Sequence, residues 1–198
     1  MQRRFVLCDR DGTINVEKHY LSDPDQLQLL PSAAAGLRQM AIMGLGLVVV
    51  TNQSAIGRGL FDTDRLEAIH NRLRELLRAE GVELEGIYHC PHLPEDGCAC
   101  RKPAAGMIEQ AASDLGFQSD EAFFIGDKTC DINAGRAANA TTLLVRTGYG
   151  GEHETDKACR PDFVVDDLAS AAAVIQQTIV SSTTTMDSSF STTQEGIS

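Results

Sequence analysis

The sequence predicts an α/β fold, a doubly wound and mostly parallel sheet with helices on both faces. Three observations predict it. Short apolar, β-branched runs alternate along the chain with longer segments of helical character. Those runs are continuously apolar, as strands covered on both faces must be. Polar residues able to do chemistry follow the runs directly, as expected where loops leave the carboxyl ends of parallel strands.

The elements follow in order. "RFVLC" (4–8) is a buried strand ending at Asp9. Pro31-Ser32 opens a helix over 32–43, where Ala and Leu favour helix. "LGLVVVT" (45–51) is a second buried strand. Residues 63–80 place Leu66, Ile69, Leu73, Leu76 and Leu77 on one helical face. "GIYHC" (86–90) is a third strand, and 106–115 form a helix that Gly116 ends. "AFFIGD" (122–127) is a strand running into an acidic turn, followed by a short helix over 130–138. "TTLLVRTG" (141–148) and "DFVVD" (162–166) are strands, and 167–179 is the last helix.

With 198 residues, 42% of them hydrophobic, the chain can bury one sizeable core. We expect one domain over 1–180. The Ser/Thr-rich stretch 181–198 has no period and is expected to be a disordered tail. No apolar run is long enough to span a bilayer, and the apolar stretch near the N-terminus is too short for a signal peptide. A cytoplasmic, monomeric protein is the expectation. A formal net charge of −11 argues against nucleic acid as a partner. An anionic small substrate would need a local cluster of cations.

Four blocks carry chemistry, each with a plainer reading beside it. In "LCDRDGTIN" (7–15), Asp9 suits a nucleophile or metal ligand and Asp11 a general acid or base. Alone, the block reads as an Asp-rich loop. In "VVVTNQSAIGRG" (48–59), Thr51, Asn52, Gln53 and Ser54 could hold phosphate oxygens, with Arg58 adding positive charge. Alone, they read equally well as a helix cap. In "RKP" (101–103), Lys102 could screen charge between phosphate and carboxylate, although a solvated basic pair is the ordinary explanation. In "FIGDKTCDINAG" (124–135), Asp127 suits Mg²⁺, a hard ion that takes oxygen ligands. Asp127 and Asp131 also read as caps of the next helix. Asp9, Thr51, Cys90 and Asp127 all stand at strand ends and should converge.

A fifth feature is "HCPHLPEDGCACRKP". Cys90, His92, Cys98 and Cys100 offer three thiolates and one imidazole, a closed set typical of structural zinc. His89 competes with His92, but strand alternation points His89 away from Cys90. Such a zinc would hold the loop that presents Arg101 and Lys102. Of six cysteines only these three cluster, which favours metal over disulfides.

Together the four blocks, in this order and at strand ends, resemble the haloacid dehalogenase (HAD) superfamily of phosphohydrolases over roughly residues 4–148. The resemblance implies a Rossmann-like core with catalytic residues Asp9, Asp11, Thr51 and Lys102. Asp9 would form an aspartyl-phosphate, and Asp11 would protonate the leaving alcohol and then activate water. Mg²⁺ would be held by Asp9, Asp127 and the Asp11 carbonyl. Arg10, Asn52, Gln53, Ser54, Arg58, Arg101 and Lys128 would contact substrate. Glu17, Lys18, His19 and Tyr20 would form a small flap in place of a large cap. With its zinc loop, the sequence is similar to the histidinol-phosphatase-like subgroup, which includes heptose bisphosphate phosphatases. That implies removal of the C7 phosphate of a heptose 1,7-bisphosphate, with histidinol phosphate as the alternative substrate. A receiver-like module using phospho-Asp as a signal is the non-enzymatic alternative. A general acid two residues after the nucleophile argues against it.

Overall fold

The computed structural model describes residues 3–189. Among the described residues six strands form one sheet in the order β3-β2-β1-β4-β5-β6, and every neighbouring pair is parallel. They are β1 Phe5–Cys8, β2 Gly46–Asn52, β3 Gly86–Cys90, β4 Phe123–Gly126, β5 Thr141–Val145 and β6 Phe163–Val165. The helices are α1 Ala33–Ile42, α2 Thr63–Ala79, α3 Gly106–Leu115, α4 Thr129–Ala137, the four-residue α5 Gly150–His153, and α6 Leu168–Ser189.

Strand alternation divides the core between two faces. Val6 and Cys8 of β1 pack with Leu37 of α1, Ile69 and Leu73 of α2, and Ala171 of α6. Phe5 and Leu7 pack on the other side with Met107 and Ile108 of α3 and Ala134 of α4. Burial of both sides is why β1 reads as an unbroken apolar run. Asp62 caps α2 by accepting from the Arg65 N–H at 2.9 Å. Gly116 ends α3 with φ 71°, the left-handed turn its place in the sequence predicts.

The chain runs outward from β1 to β2 and β3, then returns to β4 on the other side of β1. The strand order therefore reverses between β1 and β4, and a crevice opens past their carboxyl ends. Asp9 and Asp127 follow these two strands. Between Asn15 and Leu30 the chain makes a small flap, closed by Val16 N–H donating to Gln28 and Leu30 N–H to Ile14. No large cap lies between β1 and α1.

Two boundaries differ from expectation. The strand expected over 141–148 stops at Val145. Gly148 has φ 58°, which no strand accommodates, and Arg146 is drawn sideways onto Glu154 and Asp166 at 2.8 and 2.6 Å. The last helix runs past 179 to Ser189, so 181–189, read as the start of a disordered tail, is helical. Once a helix is nucleated, each added residue brings a hydrogen bond, and this outweighs modest propensity. The rest of the expected tail, 190–198, lies outside the described residues.

Candidate active site

The crevice holds a cavity of about 200 Å³. At its floor Asp9 leaves β1 with its backbone N–H bonded to the Ile125 carbonyl of β4, 2.9 Å away. The Asp9 side chain is buried, and its Oδ1 lies 2.8 Å from Lys102 Nζ. Lys102 is buried too. Its ammonium also reaches Asp131 Oδ1 at 2.7 Å and the Val50 carbonyl at 2.8 Å. Three acceptors meet the three donors of an ammonium. Burial alone would lower the Lys102 pKa, but Asp131 and Asp9 outweigh it and raise it, so the charge is secure.

Asp127 follows β4 and is fully buried. Its Oδ2 accepts from the Tyr149 N–H at 2.9 Å, while its Oδ1 is buried without a partner. Space here is tight. Gly12 has φ 82°, and a Cβ on it would overlap the Asp127 carboxylate, so glycine is required at the turn after Asp11. Burial pushes Asp127 up to about 8, with Asp9 and Asp131 adding to the rise. Burial likewise pushes Asp9 up to about 6. Lys102 pulls it down, and Asp131 and Asp11 push it further up. Carboxylate oxygens of Asp9, Asp127 and Asp131 lie within 4.8 Å of one another. Three buried acids around one ammonium leave excess negative charge and an orphaned oxygen. The site therefore fits a hard divalent cation.

Asp131 was read from sequence only as a helix cap. It does cap, because its Oδ2 accepts from the Lys128 N–H at 2.9 Å. It is also fully buried and shared with Lys102, so it belongs to the site. Its signal was the spacing in "GDKTCD", which puts Asp131 one helical turn after Asp127.

Asp11 sits apart from this cluster. Its Oδ2 accepts from Arg10 Nη2 at 2.7 Å and Gln53 Nε2 at 3.0 Å, and its Oδ1 from Asn15 Nδ2 at 2.9 Å. Burial acts to raise its pKa. The Arg10 charge and these hydrogen bonds outweigh burial and hold Asp11 below the usual carboxylate range. Gln53 Nε2 also donates to Thr51 Oγ1 at 2.9 Å. That orients the Thr51 hydroxyl with its own proton left to give.

The remaining residues expected from sequence divide by placement. Arg10, Glu17, His19, Tyr20, Asn52, Gln53, Ser54, Arg101 and Lys128 all line the cavity, whereas Lys18 and the exposed Arg58 do not. Asn52 has a task the sequence did not show. Its side-chain amide clasps the Lys102 backbone, donating to the carbonyl and accepting from the N–H, both at 3.1 Å. Lys128 reaches Glu17 of the flap at 2.8 Å and lies 4.9 Å from the Tyr149 ring centre. His19 Nδ1 is 3.4 Å from Tyr149 Oη. Arg101 donates to the His92 carbonyl at 3.1 Å, tying the cavity rim to the cysteine loop.

In that loop Cys90, Cys98, Cys100 and His92 Nδ1 converge. Cys90 Sγ lies 3.5 Å from His92 Nδ1 and 3.6 Å from Cys98 Sγ. Cys100 Sγ lies 3.2 Å from both His92 Nδ1 and Cys90 Sγ, and 3.4 Å from Cys98 Sγ. A tetrahedral zinc with Zn–S of about 2.3 Å needs sulfurs a little under 4 Å apart, so the set fits zinc. His89 faces His70 instead, with ring centres 5.7 Å apart.

Comparisons with known proteins agree with this geometry. Residues 99–171 match the HAD-hydrolase-like family model. The chain is 38% identical over 174 residues to a D-glycero-beta-D-manno-heptose-1,7-bisphosphate 7-phosphatase of Pseudomonas aeruginosa, covering 87% of this chain and 98% of that protein. It is also 38% identical to the Yersinia pestis protein of the same name, covering 83% and 90%. The crystal structure of a D,D-heptose 1,7-bisphosphate phosphatase from B. bronchiseptica, complexed with magnesium and phosphate, superposes with a TM-score of 0.82 at 33% identity. That match covers 89% of this chain and 99% of the other. With acids after β1 and β4, a buried lysine between them and relatives matched along nearly their whole length, the chain belongs to the HAD-like hydrolases, in the family of the heptose-1,7-bisphosphate 7-phosphatases.

Proposed function

We propose that this protein hydrolyses the C7 phosphate ester of D-glycero-D-manno-heptose 1,7-bisphosphate through an aspartyl-phosphate on Asp9. The observation that carries the mechanism is Asp9 at the cavity floor, bonded to Lys102 and clustered with Asp127 and Asp131. The substrate is read from the relatives' names.

An Asp9 carboxylate oxygen attacks phosphorus, and the bond from phosphorus to the C7 oxygen breaks. Asp11 gives a proton to the departing alkoxide. Asp11 then takes a proton from the water that attacks the acyl phosphate, releasing phosphate and restoring Asp9. Lys102 holds Asp9 in place and hands a hydrogen bond to the phosphoryl group as charge moves there. The Thr51 hydroxyl donates to a phosphoryl oxygen. Asp9, Asp127 and Asp131, with the Asp11 carbonyl, would hold Mg²⁺, which when bound offsets repulsion between carboxylate and phosphate. Arg10, Gln53 and Asn15 keep Asp11 ionised at rest, so before the acid step Asp11 takes up a proton from solvent as the Arg10 contact loosens on substrate entry. Arg101 and Lys128 at the rim supply cationic contacts for the second phosphate.

Cys90, His92, Cys98 and Cys100 would hold a structural zinc that braces Arg101 and Lys102. Cys98→Ser should lose stoichiometric zinc and lower thermal stability, measured by elemental analysis and melting. Because Asn52 and Val50 still hold Lys102, activity should fall only severalfold. Unchanged zinc content would remove Cys98 from the set.

The substrate is tested by phosphate release with Mg²⁺ from both anomers of the heptose bisphosphate, other sugar phosphates and histidinol phosphate. The heptose bisphosphate should give the highest kcat/KM. A clear preference for histidinol phosphate would overturn the reading.

A further inference from the structure

The loop after β5 carries a side chain that the mechanism does not use. Its backbone is pinned to the floor of the site. Thr147 Oγ1 donates to the Gly12 carbonyl at 2.7 Å. Gly148 packs so closely against Asp127 and Gly12 that a Cβ on it would overlap both. The Tyr149 N–H donates to Asp127 Oδ2 at 2.9 Å. Tyr149 is thus fixed at its backbone, and its side chain reaches from there to the flap. At the rim it joins a closed circuit of contacts. Lys128 Nζ lies 4.9 Å from the Tyr149 ring centre and 2.8 Å from Glu17 Oε2. The other Glu17 oxygen, Oε1, accepts from the His19 N–H at 2.7 Å. His19 Nδ1 lies 3.4 Å from Tyr149 Oη, which closes the circuit. His19 holds φ 60°, a left-handed conformation that a residue with a Cβ rarely adopts, and the Glu17 and Tyr149 contacts hold it there. Glu17, His19 and Lys128 line the substrate cavity, whereas Tyr149 does not.

We propose that Tyr149 is a positioning residue for Lys128. The face of its ring carries the ammonium at the cavity rim by cation–π attraction. An ammonium has several donors, so the one given to Glu17 leaves others for an anion in the cavity. The ring holds this charge where the second phosphate arrives, while the hydroxyl seats the flap through His19. Glu17 sits on the flap itself, and without the ring its carboxylate would draw the ammonium away from the phosphate. Tyr149 therefore acts through Lys128 and not on the substrate.

The inference rests on Lys128 serving the second phosphate, and the test separates the two. Tyr149→Leu, Tyr149→Phe and Lys128→Met would each be measured with Mg²⁺ on the heptose bisphosphate and on the heptose 7-phosphate, which lacks the second phosphate. Each Tyr149 variant keeps the backbone N–H that Asp127 accepts, so a change confined to the bisphosphate reads the side chain. Tyr149→Leu should lower kcat/KM by about tenfold on the bisphosphate, carried by KM, and by at most about twofold on the monophosphate. The preference for the bisphosphate then falls about fivefold or more. Tyr149→Phe keeps the ring and should keep most of that preference. Lys128→Met should show the same split as Tyr149→Leu, but larger. If Lys128→Met loses equally on both substrates, the reading of Lys128 falls and the role of Tyr149 falls with it. If Lys128→Met splits while Tyr149→Leu loses equally on both, or Phe is no better than Leu, the role of Tyr149 alone is overturned.

Discussion

Asp9→Asn should abolish turnover, by ~10⁴-fold or more, while the protein stays folded. An amide in place of the carboxylate is a poor nucleophile at phosphorus, and no neighbour can replace it. Asp11 is turned toward Arg10, Gln53 and Asn15, while Asp127 and Asp131 are committed to Tyr149, Lys102 and Lys128. The fold should survive because Lys102 keeps Asp131 and the Val50 carbonyl as acceptors. Removing one of three crowded acids also relieves repulsion. Melting curves and phosphate release on one preparation check both halves. A folded Asp9→Asn protein with normal phosphate release would end the mechanism.

Lys102→Met should lower kcat/KM by ~10³-fold and also destabilise the protein. The buried ammonium is the charge bonded to both Asp9 and Asp131. Truncating one member of a buried ion pair leaves uncompensated charge and typically costs about 3–5 kcal/mol. Here two carboxylates are left. The loss should be largest in chelator, because a divalent cation bound by the same acids replaces part of the missing charge. Denaturant unfolding with EDTA and with Mg²⁺ measures this. A stability change that is small and indifferent to Mg²⁺ would show that Lys102 does not hold the cluster together.

The strands and their order of use were legible because burial on both faces writes continuous apolar runs, as in "RFVLC" and "LGLVVVT". The convergence of Asp9, Thr51 and Asp127 followed from parallel topology, which puts all strand ends on one edge. The convergence of Cys90, Cys98 and Cys100 was legible from spacing, and the choice of His92 over His89 from the two-residue period of β3. What escaped the sequence depended on how loops turn. Nothing in "TNQS" says whether Asn52 faces a phosphate or, as found, the backbone of Lys102 fifty residues on. Arg58 looked like a cation for substrate, yet its loop carries it out into solvent. Asp131 was read as a cap because local spacing shows only the local bond. Its second partner, Lys102, arrives from a distant loop.

The most direct test is a single turnover with excess enzyme and Mg²⁺, quenched in acid at short times and mapped by mass spectrometry. A phosphoryl group should build up and decay on the peptide containing Asp9, at rates matching phosphate release. Phosphate released at full rate with no modified Asp9 at any time would contradict covalent attack by this carboxylate.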